Sequence, residues 1–204
     1  IKLILDKSTK VVMVRGVAGT TKTYTTMFAA LELLNQKRVS DIILVRTAVE
    51  SADSSLGFLP GDLQEKFGIY LTPFYDKLNE LLPPNEIKFL ESEDRLQMCP
   101  INFARGLHFA AKVVLADEAE NFTVRELKTL LTRHGEFTKT IICGDPSQSD
   151  LRDNKKDDFT KVWDMFNDED SYNNGIRTFE FTNDDILRSG LCRFIVEKFE
   201  KAKK

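Results

Sequence analysis

The sequence is poor in cysteine. Its three thiols, Cys99, Cys143 and Cys192, are odd in number, far apart, and form no C-x-x-C pair. That excludes a disulfide framework and a zinc ribbon, and it predicts reduced thiols in or near a core. The two histidines, His108 and His134, have no His, Cys or acidic partner at metal-ligand spacing, so both read as structural. No apolar run approaches the roughly 20 residues a membrane-spanning helix needs. No signal-peptide pattern is present, although the chain opens on Ile1 rather than Met, so residues upstream are not excluded. Neither charge sign dominates: 29 Lys and Arg stand against 32 Asp and Glu, a net charge of −3. The chain as a whole therefore has no electrostatic drive toward nucleic acid, and any such binding must come from a local patch. There is no internal repeat and no low-complexity linker.

What is present is a regular alternation. Short apolar clusters at Val11–Val14, Ile42–Val45, Val113–Ala116 and Ile141–Cys143, and a weaker one at Ile176–Phe181, are separated by helical patterns. Continuous apolar runs of this length suit strands covered on both faces, so the expectation is an α/β fold with a mostly parallel sheet flanked by helices. The 204 residues suffice for one sizeable core, read as one domain over 1–204. Helices are predicted from Lys22 to about Gln36, over Asp62–Leu82 with a kink at Pro73, and around Phe159–Phe166. Thr123-Val124-Arg125-Glu126 is a capping-box sequence that opens another. A long loop, Arg46–Gly61, leaves the carboxyl end of the second strand, the edge where ligands bind in such sheets. Residues 85–106 fit no element cleanly, so 62–106 reads as a helical insertion between the second and third core strands.

The first strand leads into Gly16-Val17-Ala18-Gly19-Thr20-Thr21-Lys22-Thr23. Strand, glycine-containing turn and helix start are the parts of a phosphate-binding loop. The turn aims backbone N–H groups inward, the helix N-terminus adds partial positive charge, Lys22 reaches β- and γ-phosphates, and the Thr23 hydroxyl ligates Mg²⁺. The pattern G-x-x-x-x-G-K-[ST] is met except that Thr21 stands where the second glycine belongs.

Val113-Val114-Leu115-Ala116-Asp117-Glu118 is an apolar strand ending in two carboxylates. Facing a phosphate loop, Asp117 can hold Mg²⁺, while Glu118, pointing differently, can orient or deprotonate an attacking water. At a third strand end, Gly144-Asp145-Pro146-Ser147-Gln148 makes a turn in which Gln148 offers a donor and an acceptor to a γ-phosphate or water. Arg46, Arg105 and Arg188 stand at or near other element ends. Asn154-Lys155-Lys156-Asp157 spells a guanine-reading motif, but it lies in a charged run with no strand before it and is set aside. Cys192 has no evident base and reads as packing.

These three strand ends together resemble a superfamily 1 helicase-type RecA-like P-loop NTPase core. More narrowly, Val45-Arg-Thr-Ala-Val-Glu50, Leu56-Gly-Phe-Leu-Pro-Gly-Asp-Leu-Gln-Glu-Lys66, Phe103-Ala-Arg105-Gly106 and Asp185-Ile-Leu-Arg188 resemble the PhoH-like ATPase family, over about Val11 to Glu200. The resemblance implies ATP and Mg²⁺ as ligands, with Lys22 and Thr23 on phosphate and metal, Asp117 completing the metal site and Glu118 activating water. It further implies Gln148 as a γ-phosphate sensor, Arg188 as an arginine finger, and Arg46 and Arg105 near the nucleotide or a subunit interface. It implies a homo-oligomer, a hexameric ring by family resemblance, with RNA or single-stranded nucleic acid as partner and no membrane, in the cytoplasm of a bacterial or phage-infected cell. No added RNA-binding or nuclease domain is expected. Two residues depart from the family: Thr21 in the loop, and Glu120 where Gln is usual. The negative net charge and the lack of an interleaved aromatic and basic strand weigh against nucleic acid. Thr21 keeps open a rival reading, an oligomeric nucleotide-binding switch or scaffold with little turnover.

Overall fold

The computed structural model describes residues 1–47 and 63–187, together with residues 190, 191, 194, 195 and 198; for residues 63–71 only the backbone is described. Six strands form one sheet: β1 (Val11–Arg15), β2 (Asp41–Arg46), β3 (Leu96–Pro100), β4 (Lys112–Ala116), β5 (Lys139–Gly144) and β6 (Ile176–Glu180). Their order is β3-β2-β4-β5-β1-β6, and every pair is parallel. The helices are α1 (Lys2–Leu5), α2 (Lys22–Asn35), α3 (Leu63–Leu81), α4 (Pro84–Ser92), α5 (Val124–Leu131), α6 (Asp158–Met165) and α7 (Glu169–Asn173). This is the α/β RecA-like P-loop fold, a parallel sheet flanked by helices.

Successive side chains of a strand point to opposite faces, and the core divides accordingly. Val12, Val14, Ile42, Leu44, Val113, Leu115, Ile141 and Cys143 pack on one face, against Met27, Leu33 and Leu34 of α2, Phe74 and Leu78 of α3, and Ile87 and Leu90 of α4. Val11, Met13, Ile43, Val45, Val114, Ala116 and Ile142 pack on the other, against Phe122, Leu127 and Leu130 around α5 and Phe159, Val162 and Trp163 of α6. Burial on both faces is why these strands read as unbroken apolar runs.

Residues 85–106 are more than an inserted helical piece. They contain α4 and then β3, which adds a sixth strand beside β2 at the sheet edge. An edge strand is covered less completely than a central one, so Gln97 and Pro100 are tolerated there and the apolar signal is broken. Helix α3 holds Pro73 in its interior. Helix α5 opens on the expected capping box: Thr123 Oγ1 accepts the Glu126 N–H at 3.3 Å and Glu126 Oε2 accepts the Thr123 N–H at 2.9 Å. Among the described residues no helix is long and apolar enough to cross a membrane.

Candidate functional site

Because all strands run the same way, β1, β2, β4 and β5 end at one edge. The loop after β1 turns sharply there. A Cβ on Gly16 would come within 2.7 Å of the Phe181 Cβ, so only glycine fits against β6's exit. Thr20 is fully buried and its Oγ1 donates to the Val17 carbonyl at 2.8 Å, tying the loop across itself. Gly19 has φ +87° and Thr21 φ +58°. For a β-branched residue this left-handed conformation is a true outlier. The Lys22 ammonium, at the first turn of α2, donates to the carbonyls of Gly16 at 2.6 Å and Val17 at 3.0 Å, so the loop curls around a cation.

The strand after Lys112 brings three carboxylates to that loop. Asp117 is 7% exposed, and both its oxygens accept from Thr23 Oγ1, at 3.1 and 3.0 Å. Burial pushes its carboxyl up, opposed by the Thr23 bond and by the charges of Arg46 and Lys22. Glu118 takes φ +53° and pairs with Arg46 from β2 through both oxygens: Nε donates to Oε2 at 3.0 Å and Nη2 meets Oε1. Arg46 is buried; desolvation lowers its affinity for a proton, while Asp117 and Glu120 raise it. Glu120 is buried as well, accepts the Asp145 backbone N–H at 2.9 Å, and is pushed up to about 7, chiefly by burial. Asp145 is tied into its own turn, accepting from Ser147 N–H at 3.0 Å, Ser147 Oγ at 2.7 Å and Gln148 Nε2 at 2.9 Å.

A cleft of 610 Å³ is lined by Ala18, Gly19, Thr21, Lys22 and Thr23 on one side and Asp117, Glu118, Glu120 and Gln148 on the other. Lys77 and Glu80 of α3, 2.5 Å apart as an ion pair, close another wall. Gly16 and Val17 contribute carbonyls to Lys22, and Arg46 stands behind Glu118 rather than at the cleft surface. Arg105 is exposed between β3 and β4 and is not among the cleft-lining residues. Arg188 and Cys192 lie outside the described residues, as do 48–62, which hold much of the Arg46–Lys66 stretch. The chain just before Arg188 does reach the loop: Leu187 lines the cleft and its N–H donates to the Gly19 carbonyl at 3.2 Å. Sequence reasoning noticed Glu120 only as an unusual residue and passed over Lys77 and Glu80. The signal for Glu120 is its place two residues beyond the Asp117-Glu118 pair, within the same turn. Asn154-Lys155-Lys156-Asp157 sits on a surface 3-10 turn and the start of α6, away from the cleft.

The donor set fits a small hard cation. Asp117 carboxylate and Thr23 hydroxyl are oxygen donors, and Mg²⁺ is held by one or two carboxylates together with phosphate oxygens. Among the described residues no group of three acidic, histidine or cysteine side chains is arranged to chelate a metal without such help.

A family model described as PhoH-like protein matches residues 1–200. The chain is 38% identical over 186 residues to the PhoH-like protein of Bacillus subtilis (strain 168), covering 91% of this chain and 57% of that one. It is 35% identical over 187 residues to the PhoH-like protein of Synechocystis sp. (strain ATCC 27184 / PCC 6803 / Kazusa), covering 92% and 56%. It is 33% identical over 189 residues to Protein PhoH of Escherichia coli (strain K12), covering 92% and 52%. The chain thus spans a little more than half the length of these relatives.

Two predictions come from the site. Thr21→Gly removes a Cβ from a left-handed position that costs an L-residue roughly 1–2 kcal/mol, against a glycine entropy cost of roughly 0.5–1 kcal/mol. The expected result is a higher urea midpoint with nucleotide binding retained or tightened; a lower midpoint would mean that the Thr21 contact with Thr25 Oγ1, at 3.4 Å, outweighs the strain. The second concerns Glu120. Its folded value of about 7 lies above the unfolded 4.5, so between these pH values the native state binds the extra proton and stability falls as pH rises. Glu120→Gln keeps an acceptor for the Asp145 N–H and removes the charge. In EDTA it should stabilise the protein by about 1–3 kcal/mol at pH 8 and by much less near pH 4.5. Equal effects at both pH values would rule the buried charge out as the cause.

Proposed function

Since the chain belongs to the PhoH-like family, we propose that it is a Mg²⁺-dependent ATPase whose hydrolysis is coupled to RNA or single-stranded nucleic acid. The observation that carries this reading is the meeting of Lys22, the Thr23–Asp117 pair and Glu118 in one cleft at the carboxyl edge of the sheet. The loop's N–H groups and the α2 N-terminus bind the phosphates. Lys22 exchanges the carbonyls of Gly16 and Val17 for phosphate oxygens, which costs it no desolvation. Mg²⁺ held by Thr23 and Asp117 would neutralise charge on the β- and γ-phosphates. Glu118 accepts the proton of a water that attacks the γ-phosphorus in line, Gln148 orients that water or the γ-phosphate, and the γ-phosphate leaves ADP.

Little covalent work is asked of the protein, so positioning and charge carry the rate. Arg188 is assigned to the charge that develops on the γ-phosphoryl group. Its predecessor Leu187 is bonded to the phosphate loop, which supports a finger that acts at its own cleft or at a neighbour's. A homo-oligomeric ring with sites between subunits, in the cytoplasm, is the arrangement we favour. Arg105, exposed between β3 and β4, is assigned to the interface of that ring.

One observation favours the rival, a nucleotide switch with little turnover. Both oxygens of Glu118 are engaged by buried Arg46, and a general base so held must be released before it takes a proton. Basal turnover is then low, and release of the Arg46–Glu118 pair becomes the switched step.

Glu118→Gln should retain ATP binding and lose turnover by on the order of a hundredfold or more, whereas Lys22→Ala should weaken binding itself. Both are read as ATP affinity and phosphate release with Mg²⁺, with and without RNA; wild-type turnover in Glu118→Gln would overturn the assignment of the base. Mixing inactive Arg188→Ala with inactive Glu118→Gln protein should restore part of the activity if sites are shared. A mixture as inactive as its components, from a protein whose specific activity does not change with concentration, places the finger in its own site.

A further inference from the structure

The amino ends of the strands, opposite the phosphate loop, gather a different chemistry. A hollow of 1130 Å³ there is lined by Lys7, Lys10, Arg38, Lys139, His108 and Phe137, with Glu136 its one lining carboxylate. Among the described residues none of the four cations forms an ion pair with a carboxylate. The neighbouring Asp6 is turned onto Ser8, accepting its N–H and hydroxyl at 2.7 Å each. Lys139, buried, donates instead to the carbonyls of Asp6 at 2.7 Å and of Thr9, and Arg38 Nη1 donates to the Leu5 carbonyl at 2.6 Å. The crowding is felt: burial and then the Arg38 charge bring Lys139 down to about 8 against the attraction of Asp6, and burial, Lys10 and Lys139 lower His134. A chain of net charge −3 thus gathers four cations against two nearby carboxylates, Asp6 and Glu136, on one edge.

An aromatic ring stands in the same place. Phe137 is 81% exposed and has φ +58°. Its turn is held by Thr138 N–H to Gly135 O at 3.3 Å, by Ala111 N–H to Glu136 O at 2.8 Å, and by Thr138 Oγ1 to Phe109 O at 2.7 Å. A ring held out in water on a left-handed backbone gains nothing from packing, and its backbone is offset only by those bonds. Its two faces are free to stack.

We propose that this edge binds single-stranded nucleic acid, with Lys7, Lys10 and Arg38 on successive phosphates and Phe137 stacked on an unpaired base. Cations alone would accept any polyanion; the fixed, exposed ring selects one that carries flat unpaired bases, because a duplex hides its base faces. The inference rests on the nucleic-acid part of the proposed function and gives it a location away from the ATP cleft.

The test is fluorescence anisotropy in EDTA without nucleotide, so that ATP hydrolysis plays no part in the outcome. The probes are a short single-stranded RNA, its DNA counterpart, the duplex, and inorganic polyphosphate as competitor. Single-strand affinity should fall with salt, and Lys7→Ala and Lys10→Ala should each reduce the slope of log affinity against log salt by about 1. Phe137→Ala should weaken single-strand binding roughly 5–100-fold and leave competition by polyphosphate unchanged. Phe137→Gly, which relieves the backbone, repeats the measurement should the alanine variant unfold. Absence of single-strand binding, binding untouched by all of these variants, or duplex and polyphosphate binding as tight as the single strand with Phe137 irrelevant, each overturns the proposal.

Discussion

A sheet whose strands all run one way sends every strand's carboxyl end to the same edge, and the cleft depends on that constraint. Lys22 follows β1, Arg46 ends β2, Asp117 and Glu118 follow β4, and Asp145 follows β5. No two of these groups need be close in sequence. The parallel register alone, with Val14 beside Cys143 and Val45 beside Ala116, brings their loops within hydrogen-bonding distance. Both sheet faces are packed with Val, Ile and Leu, so the edge is where polar backbone and charged side chains can gather without unpaired burial.

Gathering them creates an electrostatic problem that the structure solves group by group. Asp117, Glu120 and Asp145 are all buried, and two cations, Arg46 and Lys22, act on Asp117. Asp145 is satisfied by its own turn and Asp117 by Thr23, and Glu118 is paired with Arg46. Among the described residues Glu120 has only backbone N–H groups as donors, its own and that of Asp145, and burial raises its carboxyl to about 7. A site with surplus acceptors and a lysine already turned toward the loop carbonyls is prepared for a cation and a polyphosphate arriving together.

The central strands were legible because two-sided burial makes them unbroken apolar runs; Val11–Val14 and Val113–Ala116 are examples. β3 was not, since Gln97 and Pro100 at an edge interrupt that signal. The placement of the loop glycines, Lys22 and Thr23 could be read from strand–turn–helix order, and that of Asp117 from the apolar strand before it. That Thr21 stands in a glycine's place was readable, but its left-handed backbone, φ +58°, became visible only in the fold. The pairing of Glu118 with Arg46 was not readable, since it joins residues 72 apart in sequence through a backbone turn at φ +53°. The cations of the amino edge were equally hidden: Lys10 precedes β1, Arg38 lies between α2 and β2, and Lys139 opens β5, so only the sheet order makes them neighbours.

The two edges are joined by the same strands. β1 follows Lys10, beside the basic hollow, and ends at Arg15, just before the phosphate loop, while β5 runs from Lys139 to Gly144. At roughly 3.3 Å per residue the separation is under two nanometres, too far for direct contact through salt. The intervening side chains are fully packed, and a packed strand does not stretch or slide by fractions of an ångström to carry a signal. If ATP is bound at one edge and nucleic acid at the other, as proposed, communication between them requires an element with two arrangements. On the proposed switch reading the Arg46–Glu118 pair would be such an element at the carboxyl edge, whereas the turn holding Phe137 is closed by three hydrogen bonds. Any coupling within one subunit must then pass through the α5–β5 connection and β4, ending at the residue that has to let go of Arg46.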